Sequence, residues 1–338
     1  MHFWLKPQLD SLLAERERLH HALLITGSEG MGKVDFARAI ANALLCETPL
    51  VGGRACGQCA ACRWFSQGSH PDFRALLPEA DDPLASESAS ATKKPSRFIR
   101  IEQVRQLAPF VEVVSHRGAG KVVLVTPAEA MNPESANALL KTLEEPPAGM
   151  RFLLVTSHPE RITATIRSRC RTVRVMGPER SACLAWLAQA RGASAEVCAT
   201  WLDACSGSPL RALALSEPDA LAQHRTILDA IAALPESGFL SAADALAQLE
   251  PSQWARLLHE WCTDLACVQA GAPARFFPDR HPRLVELASA SSAQAVLAYE
   301  CWLAGLMRLV SHPLNARLLV EDALSRYCGA VGHARAGR

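Results

Sequence analysis

The sequence has no excess of charge of either sign: 35 lysine and arginine residues balance 34 aspartate and glutamate residues, for a net charge of +1. This balance excludes a polybasic arm or a long acidic tail, so any contact with DNA must come from a local patch. Long apolar runs are also missing, because runs such as 122–125 and 152–155 fall far short of the ~20 residues of a membrane span. Residues 1–18 contain acidic side chains and no apolar core, so we expect a cytoplasmic protein without a secretory signal.

The composition is typical of a folded protein of moderate size. The 338 residues suffice for two or three domains. A content of 20% charged and 49% hydrophobic residues excludes a largely disordered chain. Because disulfides are rare in the cytosol, the 12 cysteines are expected to be thiols or metal ligands.

Buried strands and helices alternate in the first half of the chain. Unbroken apolar runs at 22–25, 122–125 and 152–155 predict strands, and 33–46 has helical spacing. A further helix is predicted from the N-cap Asn132 to the breaker Pro146-Pro147, with a buried stripe formed by Ala136, Leu139, Leu140 and Leu143. This alternation indicates an α/β domain with a parallel sheet and helices on both faces.

The strand signals stop after about residue 175. Helices are predicted at 181–190 and 195–205, and an Ala/Leu-rich helical region begins near 221 and is broken near 271–282. Residues 79–96 are rich in Ser, Ala, Asp and Glu, which indicates a disordered segment or an insertion.

A glycine-rich loop lies between the first predicted strand and helix. Residues 27–34 read GSEGMGKV, and the candidate phosphate-binding residues are Gly27, Gly30, Gly32 and Lys33. The hydroxyl residue that would bind Mg²⁺ in such a loop is replaced by Val34. The next predicted strand is followed by Thr126-Pro127, where an acidic pair would be needed. We therefore expect no ATP hydrolysis, while weak ATP binding stays open; the alternative is an active ATPase.

Four cysteines occur within a short window, namely Cys46, Cys56, Cys59 and Cys62. Four thiolates at this spacing favour a structural Zn²⁺ site. The alternatives are an iron–sulfur cluster, a redox dithiol or four unrelated thiols.

A basic segment follows the third predicted strand and contains Ser168, Arg169 and Cys170, with Arg161 and Arg174 nearby. This segment is either a solvated basic surface or the site of an arginine finger. An arginine finger is an arginine whose guanidinium reaches a γ-phosphate held by a neighbouring subunit.

Residues 1–215 resemble the delta-prime subunits of the bacterial DNA polymerase III clamp loader, which belong to the AAA+ family. The resemblance rests on residues 137–147 (NALLKTLEEPP), 168–170, the cysteine module at 46–62, and 69–72 (SHPD). The sister gamma/tau subunits, which are also similar, keep the hydroxyl and the acidic pair that this sequence lacks. They also carry a nucleotide-sensing arginine within the motif at 207–210, from which Arg211 is displaced.

The resemblance implies three domains: an AAA+ domain at 1–175 with its zinc module at 46–62, a small helical lid at 176–217, and a helical collar at 218–338. It implies a non-hydrolysing subunit of DNA polymerase III, a DNA-directed DNA polymerase, in a hetero-pentameric ring with delta and three gamma/tau copies. That ring loads the sliding clamp on primed DNA. Arg169, with Ser168 and Cys170, would complete the ATP site of the adjacent gamma/tau subunit, and the four cysteines would bind zinc. The alternatives are an ATP-hydrolysing gamma/tau-like motor and a zinc-binding interaction module unrelated to replication.

Overall fold

A computed structural model describes residues 1–82, 95–116, 120–307 and 315–332. Residues 83–94, most of the segment at 79–96, therefore lie outside the described residues. The chain divides into two compact units, Met1–Pro178 and Glu179–Arg338, which are described separately. The division into three domains at residues 175 and 217 stays a prediction.

A five-stranded parallel sheet forms the centre of the first unit. Its strands are β1 (Ala22–Thr26), β2 (Phe73–Leu76), β3 (Lys121–Val125), β4 (Met150–Thr156) and β5 (Arg171–Arg174). They lie in the order β2-β3-β4-β1-β5, with parallel pairing throughout. The three predicted strands are the buried inner ones. The sequence did not predict β2 and β5, because these edge strands are partly exposed and have no continuous apolar run.

Helices cover both faces of this sheet. They are α1 (Lys6–Ala14), α2 (Lys33–Leu45), α3 (Ala60–Ser66), α4 (Ile101–Arg105), α5 (Leu107–Glu112), α6 (Pro133–Glu144) and α7 (Ala164–Arg167). Leu24 and Phe152 pack in one core with residues of α4, α5 and α6. Leu23 and Ile25 point to the opposite face, where α2 packs on the sheet.

The helix α6 begins and ends where the sequence predicts. Asn132 caps it, since its side-chain oxygen accepts a hydrogen bond of 2.8 Å from the Ser135 amide. Leu139 and Leu143 are fully buried, whereas Leu140 is half-buried at the edge of the same core. The helix thus has one fixed apolar face and ends at Glu144.

The described residues of the second unit are mainly helical. The helices are α8 (Arg180–Arg191), α9 (Ala195–Ala204), α10 (Pro209–Leu215), α11 (Pro218–Ala232), α12 (Leu240–Leu246), α13 (Pro251–Gln269), α14 (His281–Ala290), α15 (Ala293–Leu306) and α16 (Ala316–Gly332). Trp254 and Trp261 of α13 are fully buried in a core formed mainly by residues of α11 to α16. None of the helices in the described parts of the chain is long and apolar enough to cross a membrane.

The predicted break near 271–282 is the loop between α13 and α14. The buried carboxylate of Asp264 accepts hydrogen bonds from the backbone amides of Arg275, Phe276 and Phe277, at 2.7 to 3.1 Å. Because these bonds satisfy a buried carboxyl group together with the amides of the buried Phe276 and Phe277, Asp264 fixes the course of the loop.

Candidate functional site

The glycine loop connects β1 to α2 in a conformation that depends on its glycines. Gly30 and Gly32 have φ values of 71° and 85°, in the left-handed region that other residues avoid. A Cβ atom on Gly27 would lie 2.7 Å from the Val175 carbonyl oxygen. The loop therefore keeps the tight backbone of a phosphate-binding turn at the N-terminus of a helix.

Lys33 is held inside this loop. Its side chain is buried, and Nζ donates a hydrogen bond of 2.8 Å to the Ser28 carbonyl oxygen. Burial lowers the pKa of the ammonium group, against the opposing effect of the carboxylates of Glu29 and Glu129. The ammonium group of Lys33 is thus hydrogen-bonded to the backbone of its own loop.

The positions that would bind Mg²⁺ carry no suitable ligands. Val34 is 42% exposed at the start of α2 and has no oxygen in its side chain. β3 ends at Val125, so Thr126 and Pro127 directly follow the strand as predicted. The next acidic residue, Glu129, accepts a hydrogen bond of 3.2 Å from the Ser157 amide. This arrangement can offer backbone amides to a phosphate but lacks the strand-end carboxylates that position metal and water.

The four cysteines form one cluster although they come from three places in the chain. Cys46 directly follows α2, Cys56 lies in the loop, Cys59 caps α3 and Cys62 lies in its first turn. Their sulfur atoms all lie within 4.8 Å of one another, with Cys46 to Cys59 at 3.9 Å and Cys56 to Cys62 at 4.0 Å. All four are free thiols in this structure.

Hydrogen bonds and burial act in opposite directions on the thiols of this cluster. The backbone amides of Cys56, Cys59 and Cys62 each donate to the sulfur of another cluster cysteine at 3.3 to 3.4 Å. The Thr48 hydroxyl and nearby amides lower the pKa of Cys56 to about 6, whereas burial raises that of Cys62 to about 12. A cation at the centre would stabilise the thiolate form of all four.

The geometry of the cluster fits a single tetrahedral ion. With Zn–S bonds of about 2.3 Å, tetrahedral ligands lie about 3.8 Å apart, close to the two sulfur–sulfur distances given above. An iron–sulfur cluster places several atoms between its cysteines and would hold the sulfurs farther apart. A redox dithiol would need only two of the four.

Arg169 lies just after α7, where neighbouring groups hold its side chain. Its Nη2 atom is 2.7 Å from Oε1 of Glu144, the last residue of α6. Its Nη1 atom donates to the Thr165 carbonyl oxygen at 3.0 Å and to the Ser168 hydroxyl at 3.3 Å. Cys170 packs against the core under α6, and burial raises the pKa of its thiol to about 11.

Comparisons with known proteins identify the family. A family model described as "DNA polymerase III, delta subunit" matches residues 6–179. The chain is 34% identical to the DNA polymerase III subunit delta' of Escherichia coli K12 over 332 residues, covering 96% of this chain and 94% of that protein. This chain belongs to the DNA polymerase III delta-prime family. The delta' subunit of Pseudomonas aeruginosa is likewise 34% identical, over 95% of this chain and 96% of that protein. Together with the parallel sheet, this membership confirms the predicted AAA+ fold class.

Tau subunits are similar over a smaller share of the chain. DNA polymerase III subunit tau of Salmonella typhimurium is 39% identical over 153 residues, which is 45% of this chain and 21% of that protein. Among solved structures, a gamma subunit-related protein of Thermotoga maritima covers 96% of this chain and 99% of its own, with 16% identity and a TM-score of 0.45. The 34% sequence identity to the two delta' subunits extends over nearly the whole chain, whereas the identity to this tau subunit is confined to 45% of it.

One contact in this delta-prime chain was not predicted from its sequence, the pairing of Arg169 with Glu144. Glu144 belongs to the motif at 137–147, and Arg169 to the motif at 168–170. The only sequence signal was the acidic pair Glu144-Glu145 just before the helix breaker Pro146. That signal does not identify a partner 25 residues away.

Arg211, displaced from the arginine position of the ATPase relatives, has an internal partner in this delta-prime chain. It lies in α10, and its Nη2 atom is 3.5 Å from Oε1 of Glu260 in α13. The same oxygen accepts a hydrogen bond of 3.0 Å from the Ser206 hydroxyl. The charge of Arg211 is therefore paired with that of a residue of the second unit.

Replacing Glu260 with glutamine should raise thermal stability at neutral pH. Burial raises the pKa of Glu260, with Arg211 and Ser206 opposing, so ionisation costs the folded state more than the unfolded one. That cost is absent below the ordinary pKa of glutamate, grows as the pH rises from that value to the folded pKa, and stays constant above it. The gain in melting temperature for Glu260→Gln should therefore be largest near pH 7 and shrink toward pH 4.

The exposed Glu196→Gln removes the same charge from the same unit and should show no such pH dependence. Melting curves of both variants across this pH range provide the measurement. A Glu260→Gln protein that is less stable than the parent at pH 7 would show that its ion pair with Arg211 outweighs its desolvation.

Proposed function

We propose that this chain is the non-hydrolysing delta-prime subunit of a DNA polymerase III clamp loader. In this proposal it works in the cytoplasm with delta and gamma/tau in a hetero-pentameric ring that loads the sliding clamp on primed DNA. The observation that carries the proposal is the similarity to delta' subunits along 96% of the chain. The test is a reconstitution with and without this chain. Purified gamma/tau and delta should load clamps on primed DNA at the full rate only when this chain is supplied. Equal loading without it would contradict the proposal.

The glycine loop has a structural role in this proposal. Lys33 donates to its own loop, and Val34 and Pro127 occupy the positions where Mg²⁺ ligands would be needed. Weak nucleotide binding through the backbone amides of the loop is compatible with this arrangement. ATP turnover is not compatible with it, because Val34 replaces the loop hydroxyl and no carboxylate directly follows β3 to position Mg²⁺ and water.

The purified chain should therefore hydrolyse ATP only at background rates, with or without primed DNA. Steady-state phosphate release is the measurement. Lys33→Ala is the control, because it removes the one side chain of the loop that could contact the β- and γ-phosphates. Turnover by the parent chain that disappears in Lys33→Ala would favour the alternative of a motor subunit.

Zinc is the ion that best fits the cysteine cluster. Cys46, Cys56, Cys59 and Cys62 would hold it through their sulfurs, and with four protein ligands the ion would have no open position for substrate. Its role would be to hold the segment between α2 and α3 in one shape. Because the thiols must lose their protons to bind zinc, binding should release protons to solvent.

Arg169 would act on the nucleotide of a neighbour. It lies after the last helix before β5, and its side chain is 36% exposed. A guanidinium placed against a transferring γ-phosphate neutralises the charge of the transition state and can be supplied in trans. In this proposal the chain contributes Arg169 to the ATP site of the adjacent gamma/tau subunit.

A further inference from the structure

The guanidinium of Arg169 is fixed by three acceptors on one patch of surface. They are the carboxylate of Glu144, the carbonyl of Thr165 and the hydroxyl of Ser168, at 2.7, 3.0 and 3.3 Å. A guanidinium has five N–H donors, so these bonds leave donors free for a phosphate. The arginine is therefore held from one side and can still bind an anion.

Glu144 stands on a rigid support. It is the last residue of α6, whose Leu139 and Leu143 are fixed in the core of the sheet. The C-terminal end of a helix carries partial negative charge, which adds to the attraction of the carboxylate for the cation. Glu144 itself is 48% exposed, so it contributes little to packing.

The backbone around Arg169 is fixed on both sides. The Ser168 hydroxyl donates to the Thr165 carbonyl oxygen at 3.0 Å, and the Arg169 amide donates to the Ile166 carbonyl oxygen at 3.1 Å. On the other side, Cys170 packs against the core. With the backbone held, the long side chain keeps the most freedom, and Glu144 is the charged group that restricts it.

We infer that Glu144 is a positioning residue for Arg169. It holds the guanidinium in one orientation, so that the finger does not have to lose its rotamer freedom when a partner's phosphate arrives. This inference rests on the proposed function of Arg169 as a finger in trans. An exposed ion pair of this kind contributes little by itself, so its removal should reduce the finger's contribution about two- to five-fold.

The experiment uses the reconstituted complex of this chain with gamma/tau and delta. The share of the DNA-stimulated ATPase rate that Arg169→Ala removes defines the contribution of the finger. Glu144→Gln should lower this contribution by a factor of about two to five, because glutamine keeps the size of the side chain but loses its charge. Glu145→Gln is the matched control: it removes the same charge from the adjacent exposed residue and should leave the rate unchanged.

A double variant separates positioning from a merely structural role. In the Arg169→Ala background, Glu144→Gln should have no further effect on the rate, because the group it positions is gone. Two results would contradict the positioning role of Glu144 and leave the finger role of Arg169 intact. One is a further fall in rate when Glu144→Gln is added to Arg169→Ala. The other is an equal rate for Glu144→Gln and Glu145→Gln in a complex that Arg169→Ala slows. If Arg169→Ala itself leaves the rate unchanged, the proposed finger fails and the role of Glu144 fails with it.

Discussion

Substituting Cys59 with serine should abolish zinc binding by this chain. The parent protein should contain one zinc per chain, because four thiolates at tetrahedral spacing leave room for one ion. The loss of bound zinc should be nearly complete. Structural zinc sites bind the ion with apparent free energies of about 10–16 kcal/mol, and they do so only with all their ligands in place. Elemental analysis of the purified proteins is the measurement.

The damage should be local to the cysteine module. Without zinc the segment between α2 and α3 should become sensitive to proteases, while the sheet, with its own core around Leu24 and Phe152, should keep its circular dichroism signal. Cys301→Ser is the control, since this exposed thiol lies outside the cluster. Iron in the parent protein, or an unchanged zinc content in Cys59→Ser, would count against the site.

Replacing Arg169 with alanine should remove the contribution of one ATP site in the assembled ring. Arginine fingers are worth roughly 10³-fold or more in rate at the site they serve. The total rate should fall less, because only one of several sites would contact this chain. DNA-stimulated ATPase and clamp loading in the reconstituted complex provide the measurement. The ring should still assemble, because the Arg169 side chain is exposed and its contacts are local.

Arg169→Lys distinguishes a finger from a general basic patch. An ammonium group lacks the planar fork of donors, so lysine should restore little of the lost rate. If Arg169→Ala assembles and loads clamps at the parent rate, the role in trans is wrong. The basic segment would then be a solvated surface or a surface that faces DNA.

Features with a local cause could be predicted from the sequence. The inner strands are continuous apolar runs, and α6 has its cap, stripe and breaker within residues 132–147. The cysteine cluster also followed from spacing, because Cys56, Cys59 and Cys62 lie close together in the chain. In each case the residues that fix the structure lie within a short segment.

Features that depend on tertiary contacts could not be predicted. The edge strands β2 and β5 are mostly exposed, so their sequences contain no continuous apolar run from which a strand could be predicted. Glu260 is a charged residue in a helical pattern, and only the fold places it against Arg211. The same is true of Glu144 and Arg169, whose meeting depends on how α6 and α7 pack.

The central claim, that this chain is a clamp-loader subunit, is tested most directly by assembly. Purified chain, gamma/tau and delta are mixed, and the mass of the resulting particle is measured by native mass spectrometry. We expect one complex that contains a single copy of this chain, one delta and three gamma/tau copies. A chain that stays free in the presence of both partners, under conditions where gamma/tau and delta are folded, would contradict the account.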